Sequence, residues 1–288
     1  MATHRPRAGR RNARRQRTRH GPPRRCLHRH GPRGAHRVNV VVLAGGRGTR
    51  MAPLTDDRPK ALVEIGSRPL IWHVLKHFLG QGCRDAIIAA GPQPERLEEA
   101  FSQGPCAAEP WNARVVRTGY DTTTTGRLAR VLPHIGDAAD ASNDDQRFFL
   151  TWTDCLADVD LKALVHAHER TGAVVTVTAV PRRERFGLLQ LDGDYVRAFD
   201  EKPADGWIHG AFAVVEPSIR DYLSDEAESW ESGPLQRLAE TGKLGVYRHD
   251  GFWACADHPW EIEMLDARWR SGRAPWKTWP DPSIGALH

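Results

Sequence analysis

Val40-Val41-Val42-Leu43-Ala44-Gly45-Gly46-Arg47-Gly48-Thr49-Arg50 is the stretch on which the fold turns. Its first part is apolar on both faces, which suits a central strand covered from either side. Its second part ends in small residues whose backbone N–H groups can approach a phosphate chain closely, and Arg50 adds a forked cation for the oxygens. Glycines alone also make plain tight turns. No G-K-[ST] closes the loop as in a Walker A motif. Gly45-Gly46-Arg47-Gly48 does not keep the G-x-G-x-x-G spacing of a dinucleotide fingerprint either.

On both sides of this loop the pattern is α/β. The run Val38 to Ala44 reads as a buried strand, and Leu70, Ile71, Val74, Leu75, Phe78 and Leu79 recur at helical spacing. Ala86 to Ala90, Arg114 to Arg117 and Phe148 to Trp152 read as further strands, with helices around 93–103 and 123–132 between them. Thr153-Asp154 then falls at a strand's carboxyl end, where open α/β sheets bind ligands. Further on, Val174 to Val180, Leu188 to Leu191, Tyr195 to Phe199 and Ala211 to Val215 predict strands, and 160–170, 234–241 and 259–272 predict helices.

The chain has 288 residues, 40% of them apolar and ten of them Trp, enough to bury a sizeable core. Its net charge of +5 suggests a nucleic-acid partner until it is divided. Residues 1–37 hold 13 Arg and no acid, which leaves 28 Lys+Arg against 36 Asp+Glu in the rest, a net of −8. The folded part is acidic, which argues against a basic nucleic-acid-binding face. With so little apolar content, residues 1–37 are expected to be a disordered Arg-rich tail, most simply an artefact of start-site choice, before a domain spanning 38–288. No stretch of about 18 apolar residues suggests a membrane span. The five Cys, Cys26, Cys83, Cys106, Cys155 and Cys255, are too scattered for a C-x-x-C zinc site and odd in number. Cys155 and Cys255 draw attention as a pair in space, although small buried residues are the blander account. A reducing cytosol is the expected compartment.

Nine residues after the loop's Thr49 stands Arg58-Pro59-Lys60, followed by Val63-Glu64-Ile65-Gly66. L-A-G-G-x-G-T-R with R-P-K and V-E-I-G resembles the signature of the sugar-1-phosphate nucleotidyltransferases, and the cytidylyltransferases that act on glucose 1-phosphate in particular. The pattern continues through Glu109-Pro110-Trp111-Asn112, Gly126-Arg127-Leu128, Arg185-Phe186-Gly187, Glu201-Lys202-Pro203, Gly251-Phe252-Trp253 and Ala274-Pro275-Trp276-Lys277-Thr278-Trp279. Nearly all of 38–279 is covered. The resemblance implies an α/β nucleotidyltransferase fold of GT-A-like type, with a central mixed, mostly parallel sheet flanked by helices.

It also implies the reaction: the phosphate of a sugar or cyclitol 1-phosphate attacks the α-phosphorus of a nucleoside triphosphate and expels pyrophosphate. Like unit charges 4 Å apart repel by about 4 kcal/mol at an effective dielectric of roughly 20, so cations must serve both polyanions. By resemblance Lys60 sits on the α-phosphate and Arg50 on the departing oxygens, while Leu43, Ala44, Gly45, Gly46, Gly48, Thr49, Thr124, Arg127 and Thr153 bind the nucleotide. Arg127 is expected at the base, or else on the helix surface. Asp154 and Asp257 are the implied Mg²⁺ ligands, with Asp158 and Asp160 expected to cap a helix. Glu201, Lys202, His209 and Gly210 are implied at the sugar phosphate. A homo-oligomer stays open.

Departures bear on the substrate. The family's G-D-G is Thr153-Asp154-Cys155, its I-N-G-G-F is Ile208-His209-Gly210-Ala211-Phe212, and Thr125 stands where the base loop has Gly. A segment before E-P-W-N is shortened to about Phe101 to Ala108. These changes fit a retained reaction on altered substrates, such as activation of valienol 1-phosphate with GTP in antibiotic-type secondary metabolism. Alternatives from other classes are a non-catalytic sensor, which would lose Lys60 or the acids, and a nucleic-acid binder acting through the tail.

Overall fold

The computed structural model describes residues 40–135, 147–182, 187–201, 206–223 and 226–280. The expected tail, Arg185-Phe186 and Lys202 lie outside the described residues. In chain order the elements are β1 (Val40–Ala44), β2 (Glu64–Ile65), β3 (Arg68–Pro69), α1 (Leu70–Gly80), β4 (Asp85–Ala90), α2 (Pro94–Ser102), β5 (Asn112–Arg117) and α3 (Thr124–Val131). They continue with β6 (Phe148–Trp152), β7 (Cys155–Ala157), α4 (Leu161–Thr171), β8 (Val175–Pro181), β9 (Leu188–Asp192), β10 (Tyr195–Asp200) and β11 (Trp207–Val215). The last are α5 (Gln236–Glu240), β12 (Leu244–Arg248), β13 (Trp253–Cys255) and α6 (Pro259–Arg270).

Seven strands form the main sheet in the order β12-β8-β11-β6-β1-β4-β5. All neighbours are parallel except β11, which runs antiparallel to both β6 and β8. Every residue of β1 is buried because the sheet is covered on both faces. Val40, Val42 and Ala44 join one core, with α1 and α6, while Val41 and Leu43 join the other, with Leu128, Trp230 and Leu238. Each fully buried Val or Leu contributes about 1.5–3 kcal/mol, so the continuous apolar run fixes β1 at the sheet's centre. The carboxyl-terminal tryptophans close the first core: Trp276 stacks on Trp269 with centroids 6.3 Å apart, and its indole N–H donates to His73 Nδ1 at 3.3 Å. This leaves His73 Nε2 to donate to the Ile65 carbonyl at 2.8 Å, and burial pushes the ring's pKa down to about 4.

Strand β12 carries no period-2 pattern, only Leu244-Gly245-Val246-Tyr247-Arg248, and forms by parallel pairing with β8. Strands β7 and β13 are three residues each, too short for periodicity to show. β11 begins at Trp207, four residues before the expected start at Ala211, because Trp207, Ile208 and His209 pair with Pro181, Val180 and Ala179 of β8 ahead of a bulge between His209 and Ala213. Ala211, at φ 60°, absorbs that bulge. The helix expected over 234–241 begins as a wide turn at Glu231–Leu235 containing Pro234, whose missing N–H blocks the regular ladder until α5. Of the two expected caps, Asp160 caps α4, accepting from the N–H groups of Lys162 at 2.9 Å and Ala163 at 3.0 Å, whereas Asp158 does not and instead faces His249 Nε2 at 3.1 Å.

Candidate active site

β1 and β6 are parallel neighbours, so their carboxyl ends open on the same edge of the sheet. The turn after β1 and Trp152-Thr153-Asp154 after β6 wall a cavity of about 250 Å³. Leu43, Ala44, Gly46, Gly48, Thr49, Arg50, Lys60, Thr153, Asp154 and Asp257 all line it. Gly48, at φ 66°, needs the left-handed conformation that opens the short helical turn Thr49–Met51. The Thr55 hydroxyl donates to the Gly48 carbonyl at 2.9 Å and fixes that turn.

Lys60 is buried at the cavity floor, the first residue of a short helical turn that follows the extended Pro59. Its ammonium donates to Asp154 Oδ2 at 2.9 Å and also to Asp257 Oδ1. Burial opposes the charge, but the carboxylates of Asp154 and Asp257 outweigh it, so the Lys60 pKa is raised above its ordinary 10.5. Asp257 answers in kind: burial raises its pKa, yet the Lys60 hydrogen bond and charge, with Arg50, hold it below the ordinary 3.8. Arg50 pairs with the second oxygen of Asp257 at 3.0 Å.

The two acids meet through local structure. β7 pairs antiparallel with β13, and the Ala256 N–H donates to the Asp154 carbonyl at 2.7 Å, which sets Asp154 beside Asp257 across the ribbon. Glu261, in the first turn of α6, accepts from the backbone N–H groups of Asp257 at 2.7 Å and His258 at 3.0 Å. This capping arrangement pins the chain where Asp257 leaves β13. Asp154, Asp257 and Cys255 each offer one ligand atom, all within 4.8 Å of one another. Two hard carboxylate oxygens suit Mg²⁺, whereas a thiol does not.

Arg127 departs from both expectations for it. It is buried, not on a surface, and its two terminal nitrogens donate to the chain: Nη1 to Thr118 Oγ1 at 2.7 Å and the Gly119 carbonyl at 2.8 Å, Nη2 to the carbonyls of Gly45 at 2.8 Å and Tyr120 at 3.1 Å. Direct donation to a base is therefore not what this arrangement offers. A Cβ at Gly45 would lie 1.9 Å from Arg127 Nε, so glycine is required there by close approach rather than by its φ. Thr124 begins α3 next to its capping residue, Thr123, outside the cavity lining.

The expected sugar-side residues are not gathered on the cavity wall. Glu201 is exposed just beyond β10, whose hairpin with β9 forms a separate two-stranded sheet. His209 and Gly210 lie on β11 at the bulge. The His209 ring stands edge-on to Trp152 with centroids 5.1 Å apart, and burial pushes its pKa down to about 4. The Gly210 carbonyl accepts from the Trp253 indole at 2.9 Å.

The nucleotidyl transferase family matches residues 39–228 of this chain. Glucose-1-phosphate cytidylyltransferase of Salmonella typhi is 36% identical over 263 residues, spanning 84% of this chain and 100% of that protein. The chain belongs to the sugar-1-phosphate nucleotidyltransferase family. More distant relatives of this nucleotidyltransferase include the mannose-1-phosphate guanyltransferase of Aspergillus oryzae, 25% identical over 77% of this chain and 61% of that one. Among solved structures, HddC from Yersinia pseudotuberculosis superposes with a TM-score of 0.61 at 19% identity, covering 81% of this chain and 99% of that one. HddC complexed with GMP-PN gives 0.60 at the same identity and coverage. These two likenesses establish the shared fold.

Sequence reasoning missed three wall residues of the nucleotidyltransferase: Arg47, Ala61 and Trp152. Arg47 was the unspecified position of the glycine loop, and it pairs with Asp121 and stacks on Tyr120 at 5.2 Å. Trp152 could have been found, because it is the last residue of β6 and immediately precedes the Thr153-Asp154 pair.

Proposed function

We propose that this chain transfers a nucleotidyl group from a nucleoside triphosphate to the phosphate of a sugar or cyclitol 1-phosphate. An acceptor phosphate oxygen attacks the α-phosphorus, the bond to the β-phosphate oxygen breaks, and pyrophosphate leaves. One observation carries this reading: a buried Lys60 ammonium held between Asp154 and Asp257 beneath the Gly46–Arg50 turn. Lys60 stays protonated at neutral pH and is placed to stabilise charge gathering on the α-phosphate. Arg50 and the backbone of the turn hold the departing oxygens. Asp154 and Asp257 would hold Mg²⁺, which when bound neutralises the triphosphate. Lys60 screens the two acids from each other.

For the acceptor, the departures at Thr153, Cys155 and His209 support a substrate other than glucose 1-phosphate. His209 is a neutral ring touching Trp152 of the cavity wall, and its buried Nε2 has no hydrogen-bond partner among the described residues. The altered-substrate alternative is a cyclitol phosphate such as valienol 1-phosphate, with GTP. The second reading is CTP with glucose 1-phosphate, favoured by the 36% identity to the Salmonella enzyme. A panel crossing four triphosphates with glucose 1-phosphate, mannose 1-phosphate and valienol 1-phosphate, read by pyrophosphate release with and without Mg²⁺, tests both. Turnover strongest with CTP and glucose 1-phosphate removes the altered acceptor, and no turnover of any pair removes the reaction.

A further inference from the structure

β7 and β13 set Cys155 directly opposite Cys255. The backbone bonds on either side, Ala256 N–H to Asp154 at 2.7 Å and Asp158 N–H to Phe252 at 3.2 Å, identify alternate pairs of this ribbon as the hydrogen-bonded ones. Cys155 and Cys255 therefore form a pair with no backbone bond between them. In such a pair the α-carbons lie about 4.5 Å apart and both side chains leave the same face, within the roughly 4.4–6.8 Å that a disulfide spans. Neither other described cysteine has this arrangement: Cys83 and Cys106 are buried elsewhere, while Cys255 is only half-buried.

This pair touches the acids. Cys155 Sγ lies 3.6 Å from Asp154 Oδ1, and Cys255 Sγ is within 4.8 Å of carboxylate oxygens of both Asp154 and Asp257. We propose that Cys155 and Cys255 close a reversible disulfide when hydrogen peroxide reaches the half-buried Cys255 thiol, and that closure lowers nucleotidyl transfer. The second half rests on the proposed role of Asp154 and Asp257.

The chemistry balances without a further reactant. The more accessible Cys255 sulfur attacks peroxide, an S–O bond forms as the O–O bond breaks, and one water leaves with the Cys255 proton. The Cys155 sulfur then attacks the Cys255 sulfur, the S–S bond forms as the S–O bond breaks, and a second water leaves with the Cys155 proton. Two thiols are oxidised by two electrons and the peroxide is reduced. Closure draws the sulfurs to about 2.05 Å and removes the thiol hydrogen bond at Asp154. A displacement of about 1 Å at reacting groups can cost on the order of 100-fold in rate.

The test treats the full chain with hydrogen peroxide, then reads peptide linkage by mass spectrometry after alkylation and pyrophosphate release before and after dithiothreitol. The expected result is a Cys155–Cys255 linked peptide, at least a tenfold drop in kcat, and recovery on reduction. The ratio of treated to untreated rates in Cys255→Ala should stay near one. Absence of the linked peptide overturns the disulfide, and a linked chain with unchanged kcat, or an equal loss in Cys255→Ala, overturns its effect. If the reduced chain turns over no substrate pair, the proposed reaction fails, while the disulfide stands or falls on the peptide alone.

Discussion

The guanidinium of Arg127 donates to the carbonyl oxygen of Gly45 at 2.8 Å, tying α3 to the turn that leaves β1. The same group holds the carbonyls of Gly119 and Tyr120, so one buried cation ties the segment after β5 to the turn after β1. Arg127→Met should leave these carbonyls unsatisfied and destabilise the fold by roughly 2–4 kcal/mol. In urea titrations the midpoint should fall accordingly, and KM for the triphosphate should rise more than kcat falls. An unchanged midpoint would show that these bonds add little.

Gly45 and Gly46 should separate folding from binding. A Cβ at Gly45 meets Arg127, whereas a Cβ at Gly46 meets nothing within 4 Å. Gly45→Ala should therefore lower Tm, and Gly46→Ala should melt like the wild type while raising KM for the triphosphate about tenfold, because its methyl enters the space given to phosphate. A Gly46→Ala variant with ordinary KM would remove the phosphate from that side of the turn.

The β1 loop, the Thr153-Asp154 strand end and the parallel strands were legible because each leaves a local mark, a glycine cluster, a strand end or a continuous apolar run, whereas the roles of Lys60, Asp154 and Asp257 came from the resemblance. What joins them was not legible. Asp154 and Asp257 are far apart in sequence and meet through β7 and β13, strands too short to carry a period. Arg127 sits in a helix whose pattern admits either an exposed or a buried arginine; only the depth of the Gly45 turn decides. The sugar-side set came from resemblance alone, and neither Glu201 nor His209 lines the cavity.

Three buried histidines should make the fold sensitive to acid. Burial holds His73, His77 and His209 at pKa values of about 4, below the ordinary 6.5. A base with a depressed folded pKa stabilises the fold above the unfolded value and loses that contribution as pH falls toward the folded one, so stability should decline from about pH 6.5 to about pH 4. Asp257, held below 3.8, adds a further loss only beneath that window. Denaturant melts across pH 7 to 4.5 should show this slope, and His77→Gln should lessen it by about one proton. A flat profile would place these rings in contact with water.

Ala211 occupies φ 60°, where a Cβ is strained. Ala211→Gly should raise stability by about 1 kcal/mol without moving β11, since glycine adopts this conformation freely. Thermal melting checks it, and a lower Tm would mean that the methyl's packing outweighs the strain.

Single-turnover pyrophosphate release by Lys60→Ala and Asp154→Asn, beside the wild type and on the best substrate pair of the panel, tests the shared site most directly. Lys60→Ala should lower the chemical rate by roughly 10²–10³ with a smaller change in triphosphate binding, as expected for a lost charge stabiliser. Asp154→Asn should raise the Mg²⁺ concentration needed for half-maximal rate. Both variants releasing pyrophosphate at the wild-type rate and Mg²⁺ dependence would contradict the assignment of catalysis to this cluster.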